Sequence, residues 1–433
     1  MDLAAPYAEH VAHLTAAYGR AAAAAGYDVV VVHAGRATLR DRFDDQHWPL
    51  RPTPAFAHWL PLAEPDACLV LVAGRRPRLL RPRIDDYWEA PPPPPPPWVL
   101  AQFDVEDGDP ARATLPAGRR AVVSSAPAPW LDAGDADVNP AALIAGLDAV
   151  RTRKTAYERA CLAEATRRAV RGHRRAVADF TAGDPSELAL HLAYLDASGQ
   201  DDVDTPYKNI VALGEHGAFL HYVTYQAQAP GRAAQSLLVD AGAQCHGYAS
   251  DITRTTVRGH GADVDLFRAL VERVDAYQQA LIRQIQPGLP YEELHDRSHE
   301  LLAEALVDLE IGRGSAEALV ARGVTRALYP HGLGHSLGIQ VHDVGMKPSA
   351  PRADNPWLRN TSTIEVGQVF TIEPGCYVIE ALLAPLRADD RRGLLDWDAV
   401  AALGRFGGVR IEDNIAVTAD GIVDLTRDAF AAA

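Results

Sequence analysis

The sequence contains very little lysine and very little cysteine. Its lysines are Lys154, Lys208 and Lys347, so nearly all of its positive charge is carried by arginine. The four cysteines are far apart in the chain and form no CxxC pair. This pattern excludes the disulfide framework of a small secreted domain and favours a reducing compartment.

Long apolar runs and an excess of basic charge are also missing. No stretch approaches the roughly 18 uncharged apolar residues of a membrane-spanning helix. The first ten residues, MDLAAPYAEH, include two acids and lack the apolar core of a signal peptide. The formal net charge is −15, whereas nucleic-acid binding requires a basic surface. We therefore expect a cytoplasmic protein that binds neither membranes nor nucleic acid.

The chain is nevertheless rich enough in apolar residues to build large cores. It has 433 residues, of which 48% are hydrophobic and 23% are charged, and this length predicts more than one domain. In residues 1–151 a helical pattern over 8–26 is followed by short apolar runs at 29–32, 67–74 and 120–124. Strands that alternate with helices predict a small α/β domain. The seven prolines at 91–97 predict an extended polyproline segment.

A second domain is expected over residues 152–433. Thr155 and Glu158 have the spacing of a capping box that opens a helix reaching about residue 180. Asp184 is expected to cap the next helix, with Pro185 as its first residue. Helices and strands then follow in two successive groups, which predicts an α+β domain. The expected segments are strands at 207–213, 236–241, 246–257, 368–373 and 408–418, and helices at 262–286 and 290–310.

Four acidic residues in this domain lie in or beside apolar, β-prone runs. They are Asp240 in LVDAG, Asp251 in GYASD, Glu373 in TIEPG and Glu412 in VRIED. A carboxylate in such a run needs a partner, although Asp240 and Asp251 taken alone could equally be turn residues. Divalent cations would neutralise four such charges.

Three histidines within twelve residues, His331, His335 and His342, lie on a glycine-rich segment. Such a cluster favours metal or substrate binding over a structural function. One imidazole added to an oxygen-rich ligand set suits Mn²⁺ or Co²⁺. The same segment contains GHSLG at 334–338, which matches a serine-hydrolase elbow. No acid lies between Ser336 and His342, the last histidine, so that the triad order is not satisfied.

Together, VDAG…GYASDITRT, LYPHGLGHSLGIQVHD, TIEPG and GGVRIEDN resemble the motifs of the pita-bread metallopeptidases. Within that family the chain is similar to the bacterial Xaa-Pro dipeptidases. The similarity covers essentially the whole chain, including FDDQHWP and DYW in its first domain. It implies a C-terminal pita-bread catalytic domain, of the creatinase/aminopeptidase type, behind the smaller α/β domain.

The resemblance also implies a role for each site residue and a homodimer. The implied ligands of two divalent ions, Mn²⁺ or else Co²⁺ or Zn²⁺, are Asp240, Asp251, His335, Glu373 and Glu412. The implied substrate-binding residues are His221, Arg359, Arg410 and Tyr207, with Arg359 on the proline carboxylate. The implied catalytic residues are Glu373 as proton shuttle, His342 as stabiliser of the tetrahedral intermediate, and His331. Asp45 and Trp88 are further candidates for the pocket wall.

The implied reaction is hydrolysis of Xaa-Pro dipeptides by attack of a metal-bridged hydroxide. The resemblance extends to a side activity on organophosphate triesters. One alternative is an Xaa-Pro aminopeptidase of the same fold, which would need room beyond the proline where Arg359 is expected. A second alternative is an inactive binding domain, but such a domain would be expected to have lost metal ligands, and all five positions are filled.

Overall fold

The computed structural model describes residues 2–83, 87–88, 93–125, 136–230 and 233–433. The chain forms two compact units, Met1–Ala160 and Cys161–Ala433. The boundary proposed from the sequence, after residue 151, coincides with the end of a helix rather than with this division. Within the described residues, no helix is long and apolar enough to cross a membrane.

The first unit is built on a six-stranded mixed sheet in the order β4-β3-β2-β1-β5-β6. Its strands are β1 (Val29–His33), β2 (Cys68–Val72), β3 (Arg78–Pro82), β4 (Asp104–Gly108), β5 (Arg120–Val123) and β6 (Ala136–Val138). Its helices are α1 (Ala4–Ala24), α2 (Pro54–Ala57), α3 (Pro97–Leu100) and α4 (Ala141–Arg151). The sheet is parallel at β1–β5, β5–β6 and β3–β4 and antiparallel elsewhere.

The central strand β1 confirms the expected buried strand. All five of its residues are buried, which explains why its sequence is a continuous apolar run and does not alternate. The proline run is only partly described, because residues 91 and 92 lie outside the described residues. Pro96 has φ −51° and ψ 141°, close to polyproline geometry, and α3 begins at the next residue.

In the second unit the described residues form the four helices expected from the sequence and further helices that the sequence did not predict. They are α5 (Ala156–Ala182), which begins in the first unit, α6 (Glu187–Ser198), α7 (Ala262–Ile282), α8 (Tyr291–Asp308), α9 (Ala316–Ala321), α10 (Val324–Leu328), α11 (Glu380–Ala388), α12 (Trp397–Gly404) and α13 (Leu425–Ala432). The capping box is present, since the Thr155 amide donates to Glu158 Oε2 at 2.8 Å. The expected cap at Asp184 is wrong. Ser186 caps α6 by accepting from the Ala189 amide, while Asp184 accepts from the Arg258 guanidinium.

Four small antiparallel sheets make up the rest of the second unit, in the orders β11-β8-β7, β10-β9, β12-β15-β16 and β13-β14. The strands are β7 (Ile210–Leu213), β8 (Ser236–Asp240), β9 (Gln244–Cys245), β10 (Tyr248–Ala249), β11 (Thr253–Val257), β12 (Val369–Ile372), β13 (Gly375–Tyr377), β14 (Gly408–Arg410), β15 (Asp413–Thr418) and β16 (Gly421–Asp424). The stretches 246–257 and 408–418, each expected as one strand, are each divided into two.

Short backbone pairings join these sheets where the acidic motifs lie. The Glu412 amide donates to the Thr253 carbonyl at 3.0 Å, and the Thr371 amide donates to the His335 carbonyl at 2.9 Å. Apolar side chains of α7 and α8 pack with those of β12 and β15 in one buried cluster that includes Val274, Leu302 and Ile415. Backbone hydrogen bonds therefore hold together the segments that carry the acidic motifs, and the strands β12 and β15 contribute side chains to a buried apolar cluster.

Candidate metal-binding active site

A pocket of about 800 Å³ in the second unit is lined by every residue to which the resemblance assigned a metal, catalytic or substrate role. These residues are Tyr207, His221, Asp240, Asp251, His331, His335, His342, Arg359, Glu373, Arg410 and Glu412. They come from segments more than 200 residues apart in the chain, so the fold brings them together. Their individual functions stay predictions.

Asp240 and Asp251 lie on neighbouring chain segments because β8 and β11 are paired. Asp240 is the last residue of β8 and lies opposite Thr253 of β11. The Tyr207 hydroxyl lies 2.7 Å from Asp240 Oδ1 and 2.5 Å from Asp251 Oδ1. One phenol therefore contacts both carboxylates, which must face the same space. The reading of these acids as unrelated turn residues does not fit this geometry.

His335 and Glu373 are brought together by the edge of β12. Besides the Thr371–His335 bond, the Glu373 amide donates to the Leu333 carbonyl at 2.8 Å. Gly334 lies between these contacts, and a Cβ placed on it would be 2.1 Å from the Thr371 carbonyl oxygen. Only glycine allows the two backbones to approach this closely.

The donor atoms fit divalent cations. Ligand atoms of Asp251, His335 and Glu412 all lie within 4.8 Å of one another. His335 Nε2 is 3.4 Å from Asp251 Oδ2 and 3.5 Å from Glu373 Oε1. The other ring nitrogen, Nδ1, donates to the Ser336 carbonyl at 3.0 Å. The Nε2 lone pair therefore faces the carboxylates, which is the tautomer of a metal-binding histidine.

Glu412 gives a second indication of a cation. Its Oε2 accepts a hydrogen bond from the Thr253 hydroxyl at 2.7 Å. Its Oε1 is buried, and no hydrogen-bond partner for it exists in the part of the chain that the structure describes. A buried carboxylate oxygen without a donor is costly, and a coordinated cation removes that cost.

The electrostatics of the cluster lead to the same conclusion. Burial, followed by repulsion from the neighbouring acids, raises the pKa of Asp251 and Glu412. Burial also raises the pKa of Glu373 to about 7. Burial opposes protonation of His335, but the Asp251 and Glu373 carboxylates outweigh it and raise the His335 pKa. The raised pKa values indicate that the cluster lacks a counter-charge, and divalent cations would hold the acids ionised.

A chain of hydrogen bonds links Asp240 to His331. Arg410 Nη2 donates to Asp240 Oδ2 at 2.6 Å, and Arg410 Nη1 donates to the Tyr377 hydroxyl at 2.8 Å. That hydroxyl is 2.8 Å from His331 Nε2, and His331 Nδ1 is 2.9 Å from the Gly332 carbonyl. Tyr377 therefore donates to Nε2 while Nδ1 donates to Gly332. Because both nitrogens of His331 are engaged, its proton is fixed at Nδ1.

The remaining predicted residues lie on the open side of the pocket. His221, His342 and Arg359 are all exposed. The His342 ring meets the His335 ring edge to face, with centroids 4.4 Å apart. Within the described residues, the Arg359 guanidinium makes no hydrogen bond or ion pair. An unpaired guanidinium at the pocket wall is available for an anionic group of a ligand.

Asp45 and Trp88 lie in the first unit, and both side chains are exposed. Their expected place at the pocket stays a prediction. The sequence interpretation missed Tyr377 and Thr253, which hold Arg410 and Glu412 in place. Thr253 Oγ1 also accepts from Arg410 Nε at 3.1 Å. Their only signal in the sequence was proximity to the motifs TIEPG and GYASD.

Comparison with known proteins identifies the family. Residues 160–419 match the model of metallopeptidase family M24, and residues 5–148 match the model described as the N-terminal domain of Xaa-Pro dipeptidase. A protein of Marinobacter nauticus named Xaa-Pro dipeptidase is 43% identical over 97% of both chains. Proteins of the same name from Xanthomonas campestris and Pseudoalteromonas atlantica are 40% identical over 98% of both chains and 38% identical over 99% of both.

Solved structures share the fold. Aminopeptidase PepP of Pseudomonas aeruginosa has a TM-score of 0.71 at 24% identity, covering 96% of this chain and 98% of its own. Proline aminopeptidase P II from Yersinia pestis has a TM-score of 0.71 at 23% identity, covering 99% and 97%. These similarities confirm an α+β pita-bread domain preceded by a smaller α/β domain. The chain belongs to metallopeptidase family M24 and, within it, to the group of bacterial Xaa-Pro dipeptidases.

Proposed function

We propose that this protein is a dinuclear-metal dipeptidase that hydrolyses Xaa-Pro dipeptides. The observation that carries the proposal is one pocket in which four carboxylates and the Nε2 lone pair of His335 converge, with the unpaired Arg359 guanidinium on its wall. The full-length relatives named Xaa-Pro dipeptidase support it.

The residues that would hold the two metal ions are Asp240, Asp251, His335, Glu373 and Glu412. Four carboxylates and one imidazole form a hard ligand set, which favours Mn²⁺ over Co²⁺ or Zn²⁺. When bound, the ions supply Lewis acidity and a nucleophile at neutral pH. No side chain then has to serve as the nucleophile.

The side chains of the chain itself position the substrate and move protons. Glu373 is the proposed proton shuttle because its side chain is 17% exposed to solvent, whereas the side chain of Glu412 is only 2% exposed. An acid at the open side of the cluster can exchange a proton with water or the leaving amine. A proline nitrogen has no N–H in the scissile bond, so recognition must rely on other groups, such as the carboxylate.

Arg359 distinguishes a dipeptidase from an aminopeptidase of the same fold. A guanidinium that forks onto the proline carboxylate contributes about 1.5–3 kcal/mol. We expect Arg359→Ala to weaken Ala-Pro hydrolysis about ten- to a hundredfold, with partial rescue by Arg359→Lys. It should also narrow the difference in kcat/KM between Ala-Pro and its C-terminal amide.

The matched control for this variant is Lys347→Ala, because Lys347 is another exposed cation of the same pocket. We expect that variant to keep the preference for the free acid. Equal cleavage of the acid and the amide by the wild type would contradict both the carboxylate anchor and the assignment as a dipeptidase.

The proposed activity is tested with metal-stripped protein refilled with Mn²⁺, Co²⁺ or Zn²⁺. We expect rapid hydrolysis of Ala-Pro, little of Ala-Ala and little of Ala-Pro-Ala, with Mn²⁺ giving the highest rate. Faster cleavage of Ala-Pro-Ala than of Ala-Pro would instead establish the aminopeptidase alternative.

We also propose that the protein is a cytoplasmic homodimer. Its four cysteines, all described, are buried and form no disulfide bond, which supports a reducing compartment. Exposed aromatic side chains of the first unit, such as Phe43 and Trp48, support a protein-protein contact there. Hydrolysis of organophosphate triesters stays a prediction.

A further inference from the structure

Glu187, outside the pocket, is a buried carboxylate with four hydrogen-bond contacts. It is the first residue of α6 and is 1% exposed. Its Oε1 accepts from the Leu213 amide at 2.9 Å and contacts His216 Nδ1 at 2.6 Å. Its Oε2 accepts from the Tyr222 hydroxyl at 2.6 Å and the Gln226 amide at 2.9 Å. All four partners belong to one chain segment, residues 213–226.

These contacts close that segment into a loop. Leu213 ends β7, and Gln226 is thirteen positions later, yet both amides bind the same carboxylate. The Gln226 carbonyl in turn accepts from the Leu188 amide at 3.2 Å. The His216 and Tyr222 rings stack with centroids 4.6 Å apart. Glu187 therefore joins the two ends of the loop. The stacked rings of His216 and Tyr222 form a second contact, which crosses the loop further from its ends.

The loop carries one wall of the active-site pocket. Leu220, His221 and Val223 all line the pocket. His221 directly precedes Tyr222, whose hydroxyl Glu187 holds. Residues 214–218 of the loop form a short 3-10 helix, whereas residues 219–226, which include His221, form neither a helix nor a strand. Near the end of the loop, the Tyr225 hydroxyl donates to the Asn209 carbonyl, and the Tyr225 ring packs against the His191 ring with centroids 4.5 Å apart.

We propose that Glu187 is a positioning residue that fixes His221 against the substrate by closing the 213–226 loop. The inference rests on the proposed dipeptidase function, in which His221 binds substrate. Glu187 itself does not line the pocket, so it acts through the loop. No described contact links it to an expected metal ligand, so its removal should leave metal binding unchanged.

Glu187→Gln is an unusually clean test because no orientation of the amide can restore the contacts. Each carboxylate oxygen accepts one backbone N–H, from Leu213 or from Gln226. A glutamine offers one oxygen and one NH₂, so that one backbone donor always faces another donor. The variant preserves shape while opening the loop at one end.

The decisive experiment is a double-mutant cycle between Glu187→Gln and His221→Ala, measured as kcat/KM for Ala-Pro with Mn²⁺. We expect each single variant to lose roughly tenfold or more. We expect the double variant to be no worse than His221→Ala within about twofold, because the positioned group is already gone. Losses that multiply in the double variant would overturn the proposal.

Two further measurements separate positioning from general damage. Hydrogen exchange at the Leu213 and Gln226 amides should accelerate in Glu187→Gln, while metal content stays that of wild type. The matched control is Glu64→Gln, which removes another buried carboxylate, paired with Arg81 in the first unit; it should not accelerate exchange in the loop. If the wild type does not cleave Ala-Pro, the proposed function fails, whereas unaltered exchange in Glu187→Gln rejects the loop anchor alone.

Discussion

Replacing Glu412 by glutamine is expected to abolish turnover and to lower the metal content of the purified protein. Glu412 Oε1 is buried without a hydrogen-bond partner among the described residues, and Oε2 is held by Thr253. An amide presents an NH₂ where a cation needs an oxygen and removes one negative charge from the ligand set. Mutation of a residue that only hydrogen-bonds to a metal ligand lowers metal affinity or activity about 10–100-fold. Because Glu412 is itself an expected ligand, we expect kcat/KM to fall by more than about 100-fold.

The measurement combines kcat/KM for Ala-Pro with metal analysis of the same preparation. Asp251→Asn should behave alike, because the Asp251, His335 and Glu412 ligand atoms belong to one cluster. Glu300→Gln, on the exposed face of α8, serves as control and should bind metal and turn over as the wild type does. Full activity of chelator-treated wild type would contradict the metal mechanism.

The sequence was sufficient for elements whose stability is local or whose burial is uniform. β1 could be predicted because a strand buried on both faces has to be a continuous apolar run. The helix at 156–182 could be predicted because its capping box is a local interaction of Thr155 and Glu158. The Asp184 cap was wrong for a non-local reason, since the Arg258 side chain, distant in sequence, binds that carboxylate.

The candidate site was predictable to the extent that its residues lie in recognisable motifs. Carboxylates such as Glu373 are conspicuous in a β-rich run because they are costly there without a partner. Tyr377 and Glu187 carry no such mark in the sequence. Tyr377 acquires its place through the pairing of β13 with β14, which sets it beside Arg410. In the sequence Glu187 is an ordinary acidic residue in the first turn of a helix. Its four hydrogen-bond donors come from residues 213–226, and only the folded chain places them around its carboxylate.

Replacing His342 by alanine is expected to lower kcat by roughly 10²–10³, the effect of one lost oxyanion donor. His342 lines the pocket beside the expected ligand His335, with ring centroids 4.4 Å apart. Desolvation, followed by the nearby His335 and Arg359, lowers the His342 pKa to about 3. At neutral pH the ring is therefore a neutral imidazole with one N–H to donate to the oxygen that gains charge in the transition state.

The distinction between transition-state and ground-state binding is made by the kinetic parameters. His342→Ala should change kcat far more than KM, because the charge that it stabilises is absent from the bound dipeptide. His342→Gln retains an N–H donor and should recover part of kcat, whereas His342→Phe, which keeps a ring but no donor, should not. Because the lowered pKa of His342 keeps the imidazole neutral at the pH of the assay, the acid limb of the kcat profile should lie at the same pH in wild type and His342→Ala. An effect confined to KM, or equal activities of the Gln and Phe variants, would make His342 a packing or binding residue instead.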